Sequence, residues 1–156
     1  MARTIDLLWG SDHRGLELKN ELMDWVCPVN SDDEGPFPIA IMQDVGTYTN
    51  DKCDYPNYVK KFGETFDIYT HGILICGSGF GVCIAANRFQ NIRAVVCRDR
   101  YDVEQAREHN DMNVMCLGAD YTDTDTAQYM IEDFFQTKFE GGRHQKRVNM
   151  LKRLNK

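Results

Sequence analysis

Long apolar runs, excess positive charge and a secretion signal are all missing from this sequence. No apolar stretch approaches the roughly 20 residues that a membrane-spanning helix requires. The net charge is −6, which disfavours a nucleic-acid partner because phosphate contacts need a basic surface. The opening residues, MARTIDLLWG, lack the apolar length and the cleavage pattern of a signal peptide. We therefore expect a cytoplasmic protein without membrane or nucleic-acid partners.

Metal-type spacings of cysteine and histidine are also absent. The sequence contains no C-x-x-C pair, and its four histidines are scattered along the chain. Because a zinc site needs such ligands at short, regular spacings, we expect no metal. Six cysteines could form three disulfides, but Cys76, Cys97 and Cys116 lie in apolar, strand-like runs. Cysteines of this kind are usually small buried residues in a reducing compartment.

What the chain does contain is an alternation of apolar runs and helical patterns. Of its 156 residues 42% are hydrophobic, enough for the core of one domain spanning 1–156. Five short runs predict strands at 5–9, 39–42, 73–76, 93–97 and 113–117. The acidic segment 28–38 predicts a solvated loop. The alternation predicts an α/β fold, a Rossmann-like doubly wound sheet of five parallel strands in the order 2-1-3-4-5, with flanking helices and a C-terminal helix at about 142–155.

The segment His71–Arg88 organises the rest of the chain. An apolar run ends at Cys76, and Gly77, Gly79 and Gly81 then let the backbone turn with its N–H groups uncovered. Helix-compatible residues follow, so the loop should lie at a helix N-terminus, which favours negative charge. Open α/β sheets bind ligands at the carboxyl ends of their strands. The segment therefore predicts an anion site with the sulfur of Cys76 beside it.

Familiar phosphate-binding loops do not fit this segment. A dinucleotide-binding loop needs a third glycine where Val82 stands, and a Walker loop needs a lysine that is absent here. A cysteine phosphatase of the C-x5-R type needs an arginine at the same position as Val82. What remains is the thiol of Cys76, the hydroxyl of Ser78 and a set of backbone amides. Such groups suit the removal of a proton and the stabilisation of the resulting oxyanion.

Polar residues elsewhere leave alternatives open. Asp12 and His13 follow the first strand, so their loop should meet the glycine loop; they either bind a ligand or form a turn that caps the next helix. His109 lies at a helix end, where it favours a role as a partner of the helix dipole. Arg143 and Arg147 lie four residues apart and either hold a phosphate together or form a solvated basic face.

Five motifs together resemble one protein family. They are GSDHRGLELK at 10–19, DVGTYTNDKCDYPNY at 44–58, ILICGSGFGVCIAANR at 73–88, REHNDMNVMCLGA at 107–119 and FEGGRHQKRV at 139–148. In order and over nearly the whole chain, they are similar to the type B ribose-5-phosphate isomerases and the related galactose-6-phosphate isomerase subunits. The resemblance implies a cofactor-free aldose–ketose isomerase of a phosphorylated sugar, such as ribose 5-phosphate, that acts through an enediolate.

The resemblance also implies catalytic roles for individual residues. Cys76 matches the base that moves a proton between C1 and C2 of the sugar, and Ser78 matches the residue that handles the proton on the sugar oxygens. The amides of Gly77 to Gly81 would hold the enediolate charge. His109 matches the histidine that opens the furanose ring, with Asp12 assisting.

Further residues match the substrate-binding positions of the family. Asn110 matches a residue that binds sugar oxygens, and His13, Arg143 and Arg147 match the residues that hold the phosphate. In the family, the histidine and asparagine of the R-E-H-N motif come from the neighbouring subunit. The resemblance therefore implies a homodimer or a dimer of dimers with a shared active site, in which the C-terminal helix packs on the partner.

The chain departs from the family pattern at two positions. Val82 replaces the glutamate that another branch uses as its base, which places this chain with the cysteine type. Asp120 stands where family members commonly carry an arginine that binds phosphate. Because an acid repels phosphate, either Arg14, Arg98 or Arg100 substitutes, or the substrate is another pentose or hexose phosphate, such as galactose 6-phosphate or allose 6-phosphate. A non-catalytic sugar-phosphate-binding protein is the remaining alternative.

Overall fold

A computed structural model describes residues 4–29 and 35–154. Five parallel strands form one sheet: β1 (Ile5–Ser11), β2 (Ile39–Asp44), β3 (His71–Cys76), β4 (Ala94–Val96) and β5 (Val114–Gly118). The helices are α1 (Leu16–Val26), α2 (Tyr55–Thr65), α3 (Phe80–Ala86), α4 (Arg100–Asn110), α5 (Thr124–Gln136) and α6 (Arg143–Leu151), with a 3₁₀ turn at Phe66–Ile68. The predicted α/β fold with a doubly wound, five-stranded parallel sheet is confirmed.

The strand order needs one correction. The strands lie in the order β2-β1-β3-β5-β4, so the predicted order is wrong at its last two positions. All five residues of β5 are buried, and β5 pairs with β3 from Gly72–Val114 to Cys76–Gly118. β4 has three residues, two of them only half-buried. A strand buried on both faces belongs inside the sheet, and a short, half-buried strand belongs at its edge.

Two hydrophobic cores cover the faces of the sheet. Successive side chains of a strand point to opposite faces, so Trp9 and Ile73 pack in the core beneath α1, α4 and α5. Leu8 and Leu74 pack in the other core, beneath α2 and α3. Each large apolar side chain contributes about 1.5–3 kcal/mol when fully buried. Both cores therefore fix β1 and β3, and with them the loops that leave their carboxyl ends.

The ends of some predicted elements also differ from expectation. The C-terminal helix is shorter than the predicted 142–155, because α6 ends at Leu151; residue 155 lies outside the described residues. Positions 30–34 of the predicted loop 28–38 lie outside them as well. In the described part of the chain, no helix combines the length and apolar character needed to cross a membrane.

The cysteines follow the sequence prediction. All six are free thiols. Cys76, Cys97 and Cys116 are buried in the two cores, as their apolar surroundings in the sequence indicate.

Candidate active site

The carboxyl end of β3 places a sulfur against the glycine loop. Cys76 is the last residue of β3 and is 5% exposed. Its Sγ accepts a hydrogen bond from the backbone N–H of Gly79 at 3.2 Å. Gly79 precedes α3 with φ of +80°, a conformation that glycine adopts without strain. The half-buried Ser78 lies between them, and its Oγ accepts from the N–H of Phe80 at 3.2 Å. The thiol, the hydroxyl and the loop amides therefore lie within one short segment.

Two glycines of the loop have close side-chain neighbours. A Cβ at Gly77 would lie 2.5 Å from Nη1 of Arg14, and a Cβ at Gly81 would lie 2.6 Å from the ring of Tyr55. Real Cβ atoms do not approach other atoms so closely. The loop is therefore held between Arg14 on one side and Tyr55 on the other.

The loop after β1 reaches the same edge, as predicted. The backbone N–H of Asp12 donates to Ile75 O at 3.2 Å, and the residue is 6% exposed. Asp12 Oδ1 accepts from the N–H groups of Arg14 and Gly15 at 2.9 and 3.1 Å, so the predicted turn forms, but the N-cap of α1 is Gly15 and has no side-chain cap. Within residues 4–29 and 35–154, Oδ2 of Asp12 has no hydrogen-bond partner. That oxygen remains able to accept a hydrogen bond from a ligand.

The ring of His13 is oriented by a backbone hydrogen bond. Its Nδ1 accepts a hydrogen bond from the backbone N–H of Cys53 at 3.3 Å. Because Nδ1 is the acceptor, a neutral imidazole carries its proton on Nε2. His13 is half-buried and therefore offers an N–H donor beside Asp12.

Sequence reasoning missed a buried ion pair behind this loop. Lys19 is fully buried, and its Nζ donates to Asp44 Oδ1 at 2.8 Å and to Thr47 O at 2.7 Å. Burial lowers the pKa of Lys19, and Asp44 opposes that shift. The N–H of Thr47 donates to Ser11 O at 2.8 Å, which ties the loops after β1 and β2 together. The available signal was a lysine on the leucine-rich face of α1, where a charged residue needs a buried partner.

The remaining predicted residues form a second cluster, on α4, α6 and the segment between α5 and α6. His109 is half-buried near the end of α4, and the ring of His144 stacks on it with centroids 4.4 Å apart. Oε2 of Glu140 lies 3.6 Å from Nε2 of His144. Burial, Arg143 and His109 lower the pKa of His144, and Arg147 adds to the shift. The exposed arginines therefore lie close enough to act on the buried imidazole.

Within one chain, the two clusters lie at opposite ends of the parallel strands, one at their amino ends and the other at their carboxyl ends. α4 ends at Asn110 beside the amino ends of β4 and β5, where Nε of Arg93 donates to Asp111 O at 2.7 Å. Asn110 lines a cavity of about 310 Å³ at this edge. Cys76 lies at the other end of the sheet. A five-residue strand is about 15 Å long, so this distance separates the two ends. We call the residues at the carboxyl ends of the strands the carboxyl-edge group: Asp12, His13, Cys76, Ser78, Gly77, Gly79 and Gly81. We call the other cluster the amino-edge group: His109, Asn110, Glu140, Arg143, His144 and Arg147.

The amino-edge group also brings together ligand atoms of the kind that bind metals. Atoms of His109, Glu140 and His144 all lie within 4.8 Å of one another. The sequence gives no signal of this grouping, because the two histidines are far apart along the chain. Arg143 and Arg147 add positive charge beside His144, which opposes a cation and favours an anion. The absence of a metal therefore stays a prediction.

Proteins similar to this chain are isomerases by name. Ribose-5-phosphate isomerase B of Escherichia coli strain K12 is 36% identical over 150 residues, covering 93% of both chains. A putative sugar phosphate isomerase of Rickettsia typhi is 37% identical, covering 96% of this chain and 99% of the relative. The crystal structure of a ribose 5-phosphate isomerase from Thermotoga maritima superposes with a TM-score of 0.86 at 32% identity, over 96% of this chain and 99% of that one. Residues 7–151 match the Ribose/Galactose Isomerase family, and the chain belongs to that family.

Proposed function

We propose that this chain converts ribose 5-phosphate to ribulose 5-phosphate, with Cys76 as the base. Membership of a sugar-phosphate isomerase family supports the reaction class, and the names of the similar Escherichia coli and Thermotoga maritima proteins support the substrate. The observation that carries the mechanism is the sulfur of Cys76 beside Ser78 and the amide of Gly79, at the carboxyl end of a central strand.

The proton transfer uses the groups of the glycine loop. The Cys76 thiolate removes the proton from C2 of the open-chain aldose, and the C–H electron pair forms the C1–C2 double bond of an enediolate. The negative charge that develops on the C1 oxygen is held by the loop amides, as in an oxyanion hole. Ser78 moves the proton from the C2 oxygen to the C1 oxygen. The Cys76 thiol then returns its proton to C1, which leaves a ketone at C2.

The amino-edge group of a second copy supplies the remaining functions. His109 opens the furanose ring by acid–base catalysis, with Asp12 of the first chain assisting, and Asn110 binds sugar oxygens. Arg143 and Arg147 hold the phosphate together with His13. Support for this arrangement comes from the two groups themselves, which lie at opposite edges of a single chain and so cannot serve one substrate there.

The test replaces Cys76 and compares it with a second thiol. Cys83 is the matched control, because it lies in α3 and a hydrogen bond from Cys116 lowers its pKa to about 7. Removal of a catalytic base costs about 10²–10⁴-fold, so we expect Cys76→Ala to lose that factor in kcat with ribose 5-phosphate. Cys83→Ala should retain most of the activity. Full turnover by Cys76→Ala would contradict the proposal.

The acid at position 120 supports a second candidate, an isomerase of a different pentose or hexose phosphate. Asp120 lies beside the glycine loop, where its N–H donates to Gly77 O at 3.0 Å, and it occupies the position at which family members commonly carry a phosphate-binding arginine. A panel of ribose 5-phosphate, allose 6-phosphate and galactose 6-phosphate, scored for ketose product, separates the candidates. Tight calorimetric binding without any ketose would indicate a sugar-phosphate-binding protein.

A further inference from the structure

Arg14 lies against the glycine loop. Its backbone N–H donates to Asp12 Oδ1 at 2.9 Å, which fixes the residue directly after His13. Its guanidinium fills the space above Gly77, where a Cβ would lie 2.5 Å from Nη1 and 2.9 Å from Nε. A permanent positive charge therefore lies beside the residue that follows Cys76.

Part of this guanidinium is not used by the protein. Nη2 donates to Asp120 Oδ2, and the carboxylate is itself anchored because the Asp120 N–H binds Gly77 O. In the described segments 4–29 and 35–154, Nη1 and Nε of Arg14 have no hydrogen-bond acceptor. The side chain is 55% exposed, so these donors are open to solvent, and Arg14 lines a cavity together with Ala119 and Asp120.

Two other arginines near this edge make different contacts. Arg100 binds Asp133 through both Nε and Nη2, at 2.5 and 2.7 Å. Arg98 lies over the ring of Phe80, 5.5 Å from its centroid. Of these three arginines, Arg14 is the one whose guanidinium lies against Gly77.

We propose that Arg14 is a further substrate-binding residue, whose free donors bind an anionic oxygen of the substrate above Gly77, and that Asp120 is the residue that positions it. The inference rests on the proposed function, since a phosphorylated sugar supplies the anion. A guanidinium presents parallel N–H donors to paired oxygens, and its charge strengthens each bond. The phosphate and the enediolate oxygens share this chemistry, and the experiment separates them.

The first experiment measures Arg14→Ala in the full chain with ribose 5-phosphate. Loss of a charge-assisted hydrogen bond lowers affinity about ten- to a hundredfold, and we expect kcat/KM to fall by that factor. If Arg14 binds the phosphate, KM rises, and the calorimetric Kd for inorganic phosphate rises with it. If Arg14 binds the enediolate, kcat falls while the phosphate Kd stays unchanged. Arg14→Lys should recover part of the loss, because lysine keeps the positive charge but lacks the parallel N–H donors of the guanidinium.

The second experiment tests the positioning role of Asp120. Asp120→Asn keeps the size and removes the charge, so kcat/KM should fall by less than in Arg14→Ala. In the Arg14→Ala background the same change should have no further effect, because the two residues act through one contact. A purely structural role of Asp120 predicts additive losses instead.

A matched control and the wild type make the outcome decisive. Arg88 is an exposed arginine just after α3, and Arg88→Ala should keep the kinetics of the wild type. Unchanged kcat, KM and phosphate Kd in Arg14→Ala would overturn this inference. A wild-type protein that isomerises none of the sugar phosphates in the panel would overturn the proposed function instead.

Discussion

The carboxyl-edge and amino-edge groups differ in how their polar atoms are used. In the carboxyl-edge group, Cys76 accepts from Gly79, and His13 accepts from Cys53, so the chain itself orients the side chains. In the amino-edge group, the buried Nε2 of His144 has no hydrogen-bond partner among the described residues, since Glu140 at 3.6 Å is too distant for one. The side chains of the first group are thus oriented by their own chain, with Oδ2 of Asp12 left for a ligand, whereas in the second group a buried imidazole nitrogen is left without a partner.

Under the proposed mechanism, neither group suffices alone. The carboxyl-edge group would supply the base and the oxyanion donors, and the amino-edge group would supply the ring-opening histidine and two of the phosphate-binding residues. Closed symmetry in a dimer brings unlike surfaces of two identical chains together at two equivalent sites. A pair of chains can therefore assemble two complete sites from four incomplete groups.

The largest expected effect comes from mixing two inactive variants. Cys76→Ala disables the carboxyl-edge group, and His109→Asn disables the amino-edge group. When the two chains are co-expressed, random pairing in a dimer leaves about a quarter of all sites with both groups intact. We therefore expect about a quarter of the wild-type turnover of ribose 5-phosphate, although each variant alone is nearly inactive.

The control for this mixing experiment is a chain that carries both substitutions. Co-expressed with Cys76→Ala, it leaves no site with an intact thiol, and turnover should stay at the background level. An active wild type whose Cys76→Ala and His109→Asn chains fail to complement each other would show that a single chain supplies both groups.

A smaller effect, on the free energy of unfolding, tests the difference in preorganisation between the carboxyl-edge and amino-edge groups. Lys19 holds the loops of the carboxyl edge through a buried contact, and Lys19→Met leaves the partly buried Asp44 unpaired. Loss of one partner of a buried ion pair costs about 3–5 kcal/mol, and we expect that loss in the free energy of unfolding measured with urea. The control is Lys60→Met, which removes the exposed pair with Glu64 and should cost less than about 0.5 kcal/mol. Equal losses in the two variants would contradict a bracing role for Lys19.

The sequence predicted the carboxyl-edge group better than it predicted the amino-edge group. Cys76 and Asp12 follow strands, and parallel strands deliver their following loops to one edge, so their proximity follows from the fold class. His109 and His144 lie on different helices, and only helix packing brings their rings together. Lys19 was missed for two reasons. The leucines around it indicate a helix face that packs in the hydrophobic core, and its partner Asp44 lies on a different element, β2.

The order of β4 and β5 was missed for a related reason. Local sequence patterns show that a run forms a strand, but the position of that strand in the sheet depends on what covers each face. Every residue of β5 is buried, whereas β4 is short and half-buried, and this difference decides which of them occupies the edge. The order of strands and helices along the chain does not show that β5, and not β4, lies beside β3.

The smallest expected effect concerns the pH dependence of the amino-edge group. Burial lowers the pKa of His144, with Arg143, His109 and Arg147 acting in the same direction and Glu140 opposing them. Below pH 6.5, the unfolded chain therefore binds a proton that the folded chain resists. Stability should fall as the pH drops from 6.5 through the lowered pKa, and it should be insensitive to this group above 6.5.

Urea unfolding at pH 7.5 and in steps below pH 6.5 checks this sign, with His144→Gln as the non-titrating variant. The variant should lose less stability on acidification than the wild type, and Arg147→Gln should lie between them because it removes one of the charges that lower the pKa. Inorganic phosphate should reduce the acid-induced loss in the wild type, because a bound anion favours the protonated imidazole. A steeper loss in His144→Gln than in the wild type would mean that the folded chain stabilises the imidazolium, and the amino-edge group would then already be neutralised within its own chain.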